Sequence, residues 1–94
     1  KFNSINEIRK EIDKVDQKIL DLISKRRDLV VEVVKVKKRD QIIDKKRIKN
    51  ILERLKVEAE NKKLPKDLIN DLWKLMIGEF IKLEEKIFDE VHKN

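Results

Sequence analysis

An apolar stripe in helical register runs from Ile5 to Val36. Ile5, Ile8, Ile12, Val15, Ile19, Leu22, Leu29, Val33 and Val36 recur in steps of three and four, with position 26 between Leu22 and Leu29. A period near 3.6 held over that length is the signature of one long amphipathic α-helix. Ser4 supplies an N-cap, and Glu7, three residues on, completes a capping-box pattern. The spacing predicts a helix from Ser4 to Arg39, about 50 Å long.

Two shorter segments follow. Asp44 is a good N-cap for a second helix carrying Ile48, Ile51, Leu52, Leu55 and Ala59, which fades near Asn61–Lys63. Pro65 suits the first turn of a third helix carrying Leu68, Leu72, Trp73, Leu75, Met76, Phe80, Leu83, Ile87 and Val91. The expected fold is therefore all-α, with three helices, one of them very long, in a single domain over residues 1–94. One Gly and one Pro in 94 residues leave little to interrupt these helices. A chain this small buries little on its own. Folding the two short helices back on the long one leaves part of the stripe wet, and a wet stripe of that size marks an interface. A homodimer would cover it.

Composition removes several function classes. The chain has no Cys and a single His, His92, so disulfides, thiolate metal sites and a Ser–His relay are not expected. No apolar run is long enough to span a bilayer and no secretory signal pattern is visible, so a cytoplasmic location is expected. Lys plus Arg number 25 against 19 acids, a net charge of +6, which suits an anionic partner, large or small. The richness in Lys, Glu and Ile fits a thermophile and an AT-rich genome equally well.

The charged residues that break the apolar pattern are the informative ones. Arg26 stands where the stripe demands an apolar side chain, and burying an unpartnered guanidinium is costly. Lys37 lies eleven residues on, on the same face. Lys45, Lys46 and Arg47 open the second helix, where cations oppose the helix dipole unless an anion binds there. Glu84 sits in the apolar face of the third helix, between Phe80 and Phe88. A carboxyl buried there is often kept protonated and can then donate a hydrogen bond. Each oddity has a plainer reading. Arg26 could bridge to Glu53 or Glu79, Lys37 and Arg47 could reach out to solvent, and Glu84 could pair with a lysine.

The string Ile8-Arg9-Lys10-Glu11-Ile12-Asp13-Lys14-Val15-Asp16 and the segment Leu20–Lys37, with its Lys-Arg-Arg and Val-Lys-Val-Lys, resemble the first helix of the all-helical chorismate mutases. The spacing agrees: seventeen residues from Arg9 to Arg26, then eleven to Lys37. Asp44-Lys45-Lys46-Arg47 resembles the family's Asp-x-x-Arg at the next helix start. The resemblance covers nearly the whole chain and implies an intertwined homodimer. It implies that Arg26, Lys37, Arg47 and Glu84 line a pocket within one chain, while Arg9 reaches the pocket of the other. Arg9, Arg26 and Arg47 would hold the two carboxylates of chorismate, and Lys37 and Glu84 would address the ether oxygen of the breaking bond. Asp44, Ile48 and Phe80 would complete the substrate-binding wall.

The implied reaction, chorismate to prephenate in phenylalanine and tyrosine biosynthesis, is a unimolecular Claisen rearrangement that needs neither metal nor cofactor. It needs a folded dianion and fixed donors where charge develops on the ether oxygen. Ile48 departs from the family, where an acidic residue commonly holds the ring hydroxyl. Position 84 is Gln in many members, and the Lys38–Ile43 loop is short and lacks Pro. Isochorismate-pyruvate lyases of the same fold can carry an apolar residue at the Ile48 position, which makes the lyase the alternative enzyme. A basic helical dimer contacting nucleic acid through Lys45, Lys46 and Lys49 is the alternative of another class, but no recognition-helix turn or aromatic row supports it.

Overall fold

The computed structural model describes residues 1–92; Lys93 and Asn94, the end of the expected 1–94 domain, lie outside the described residues. Among the described residues the fold is all-α: α1 (Ile5–Val34), a short 3-10 turn (Arg39–Gln41), α2 (Lys45–Asn61) and α3 (Leu68–Val91). Helix α3 lies between the other two, packing on both α1 and α2.

The start of α1 is as expected, with the Ser4 hydroxyl accepting from the Glu7 N–H at 3.2 Å. The reciprocal bond is displaced by one residue, because the Glu7 carboxylate accepts from the N–H of Asn3 at 2.8 Å. The end of α1 is a correction. The helix stops at Val34 rather than Arg39. Its last bonds tighten, with Lys35 N–H donating to Glu32 and Val36 N–H to Val33. Val30, Val31, Val33, Val34 and Val36 crowd this turn with β-branched side chains, which weakens helix. Leaving the helix also lets Ile42 fold back into the core, where it is 5% exposed. Lys37 keeps a helical position all the same, since its N–H donates to the carbonyl of Val33 at 3.1 Å.

The α2–α3 junction brings the second correction. Lys63 adopts a left-handed φ of 56°, the Leu64 N–H donates to the Ala59 carbonyl and the Lys63 N–H to Glu60. This is a Schellman ending, with Lys at the position usually given to Gly. Pro65 follows it as the residue that stops α2, and α3 begins only at Leu68, behind Asp67.

The face of α1 that packs inside the chain is not the stripe read from the sequence. Ile23, Arg26, Val30, Val31 and Val34, with Lys37 just beyond the helix, are the partly or fully buried positions, whereas Leu22, Leu29 and Val36 are exposed. Val34, Ile42, Ile51 and Ile77 form the buried apolar core, which therefore sits at one end of the molecule. Residues 1–20 are exposed throughout.

Candidate active site

Three segments meet over that core and leave a concave pocket. The C-terminal third of α1 and the turn after it contribute Arg26, Val30, Val33, Lys37 and Ile42. The start of α2 contributes Asp44, Arg47, Ile48 and Ile51, and α3 contributes Ile77, Phe80, Ile81 and Glu84. Of the residues expected at a site, Arg26, Lys37, Asp44, Arg47, Ile48, Phe80 and Glu84 are brought together here. Arg9 is not among them; it stands exposed in the first half of α1.

Each polar member owes its place to local structure. Asp44 caps α2, its Oδ1 accepting from the Arg47 N–H at 2.9 Å, and that cap sets the start of α2 on the pocket rim. Glu84 lies one helical turn beyond Phe80 and is 7% exposed. Its Oε1 accepts from Lys37 Nζ at 2.8 Å, the one ion pair among the described residues that joins two partly or fully buried side chains. Glu84 thus pairs with a lysine, but buried in the pocket rather than at the edge of its helix face.

Arg26 has no structural bridge of the kind considered from the sequence. Glu53 faces Lys49 at 4.0 Å and Glu79 faces Lys82 at 3.1 Å. The guanidinium instead lies over the Phe80 ring, 5.1 Å from its centroid, a cation–π contact. Burial holds the Arg26 pKa below its ordinary value, the neighbouring Arg47 lowers it further, and Glu84 acts in the opposite sense. Two guanidiniums crowded in a part-buried cleft make a strongly positive spot, and a dianion entering it would relieve both.

The apolar wall was harder to foresee. Ile51 belongs to the stripe read for α2, but Ile77 was not in the stripe read for α3, Val30 lies off the main stripe of α1, and Ile42 lies in a loop with no period to betray it. Among the described residues no group of three or more His, Cys, Asp or Glu is arranged to hold a metal ion, and no helix is long and apolar enough to cross a membrane. The pocket is thus an apolar slot that holds two arginines and a lysine–carboxyl pair. It can orient a small anion and place donors at a fixed point.

Comparison with known proteins agrees with this geometry. The chain is 30% identical over 90 residues to a bifunctional chorismate mutase/prephenate dehydratase of Buchnera aphidicola subsp. Schizaphis graminum, an alignment covering 94% of this chain and 23% of that protein. The chain therefore corresponds to about a quarter of the relative's length. No solved structure matches the chain significantly. The family model for chorismate mutase type II matches residues 8–85, a span that takes in α2, most of α1 and α3, and every residue of the pocket. On that match the chain belongs to the chorismate mutase type II family.

Proposed function

We propose that this chain, as a single domain, catalyses the rearrangement of chorismate to prephenate in phenylalanine and tyrosine biosynthesis, in the cytoplasm. The observation that carries the reading is the Lys37–Glu84 pair at 2.8 Å in a pocket that also holds Arg26 and Arg47. The arginines take the substrate carboxylates, which draws the flexible dianion into the compact conformer that reacts; this is an orientation effect. As the C–O bond stretches, negative charge grows on the ether oxygen, and Lys37 donates to it from a fixed position. Glu84, beside Lys37, would donate to the same oxygen in its protonated form, since a carboxylate would repel that oxygen. Asp44 holds the start of α2, and Ile48 and Phe80 form part of the wall. No step requires a metal or a cofactor.

The active unit is a homodimer. Two observations support this. The Cα radius of gyration is 17.1 Å, against about 12 Å for a compact domain of this size. Ile5, Ile8, Ile12, Val15 and Ile19 form an uncovered row on α1, which a second copy would bury. Arg9 precedes Arg26 by a rise of roughly 26 Å along a single helix, so it reaches a pocket only by crossing to the partner's.

Chorismate and isochorismate offered separately to the purified protein, with EDTA present, test the reading. Prephenate from chorismate is the expected product. Ile48 on the pocket wall favours a second reading, the lyase. Salicylate and pyruvate formed from isochorismate far faster than prephenate from chorismate would establish the lyase in place of the mutase.

A further inference from the structure

Helix α3 presents Phe80, Glu84 and Phe88 one turn apart, and each faces a cation. Arg26 lies over Phe80 and Lys37 bonds to Glu84, both within the pocket. The third pair lies outside it: the Arg39 guanidinium carbon is 4.7 Å from the centroid of Phe88, and the same guanidinium pairs with Asp89. The His92 ring also stacks on Phe88, with centroids 4.0 Å apart.

We propose that Arg39 is a positioning residue that latches the turn after α1 onto α3 and so fixes the Lys37 ammonium beside Glu84. The geometry has a simple origin. Lys38 is extended, with φ −88° and ψ 161°, and the residues on either side of it, Lys37 and Arg39, both reach α3. Alternate residues of an extended segment are about 6.6 Å apart. Residues one turn apart on a helix, such as Glu84 and Phe88, are separated by about 6 Å. Lys37 and Arg39 therefore meet successive turns of α3 in register. The turn is closed on its other side by the Gln41 N–H donating to Lys38 and the Lys38 N–H donating to the Gln41 side chain, and it is anchored beyond by buried Ile42. Lys37 has a long flexible stem, and Arg39 is the nearest residue of the turn whose own side chain grips α3.

The role assigned to Lys37 rests on the mutase reading; the latch itself does not, and two measurements separate them. The first is amide hydrogen exchange. Arg39→Ala is expected to speed exchange at Lys37, Gln41 and Ile42 several-fold while the Tm holds, because Arg39 and Asp89 are mostly exposed and such pairs add little global stability. Unchanged exchange overturns the latch whatever the protein catalyses. The second is a kinetic cycle on chorismate. Arg39→Ala is expected to lower kcat about fivefold with KM nearly unchanged, as loss of one partly exposed cation–π latch would do. Arg39→Lys, which keeps the charge for Asp89, recovers part of it. In a Lys37→Ala background the same Arg39→Ala change has no further effect on kcat, since nothing remains to be positioned. An equal loss in both backgrounds, or a loss confined to KM, overturns the positioning role. An inactive wild type would sink the mutase reading, leaving the exchange result to decide the latch.

Discussion

The two halves of α1 share one helix and one style of sequence, yet they meet different fates. From Ile23 onward, α1 turns Arg26, Val30 and Val34 inward against the rest of the chain, and Val34 is fully buried. From Ile5 to Leu22 an apolar row as regular as any in the chain stays exposed, with Ile12 at 52%. The difference teaches that a hydrophobic period reports that a face requires a cover, without reporting which chain supplies it. It also separates two kinds of cation. Arg26, in the covered half, is held in an apolar cleft; Arg9, in the uncovered half, waits on a surface.

The largest effect tests the covered half. Arg26→Leu is expected to lower kcat/KM for chorismate by a factor of about a thousand or more, the scale seen when a fixed charge partner is removed from a dry site. The ligand-free protein should melt at the same temperature or higher, because an arginine whose pKa is depressed by burial is a burden until an anion arrives. A lower Tm in Arg26→Leu would mean that Arg26 supports the fold, and the contrast between the halves would lose its functional sense.

The uncovered half is tested by mixing. Arg9→Ala and Arg26→Ala should each be nearly inactive alone. After subunit exchange at equal amounts, about a quarter of wild-type activity should return, since half the dimers are hybrids and each hybrid has one intact pocket. Ile12→Asp, which places a charge in the uncovered row, should shift sedimentation toward monomer and abolish that recovery. Full activity from a wild-type monomer would show that the first half of α1 has no part in the site.

The smallest effect sharpens the chemistry where the halves would meet. Glu84→Gln keeps the shape of the side chain and supplies a permanent N–H donor. Glu84→Gln should therefore keep kcat within about tenfold of wild type, whereas Glu84→Ala should lose more. Equal losses in Glu84→Gln and Glu84→Ala would remove Glu84 from the donor role.

Much of the molecule was legible in the residues themselves. The three helices follow from apolar period and caps, because local side-chain pattern and backbone capping act within a few residues. Arg26, Lys37, Arg47 and Glu84 were visible as charges in the wrong places, since an ionised group on an apolar face needs a partner. Tertiary contacts decided the remainder. Helix α1 ends at Val34, where burial of Ile42 outweighs further helix. Pro65 closes α2 instead of opening α3 because Lys63 takes the left-handed turn just ahead of it. The inward face of α1 carries Val30 and Val34 rather than Leu22 and Leu29, and Lys37 meets Glu84 across 47 residues of chain. Sequence periodicity marks which positions are apolar, but which of two adjacent apolar strips turns inward depends on where the other helices lie, and that is a property of the packed molecule alone.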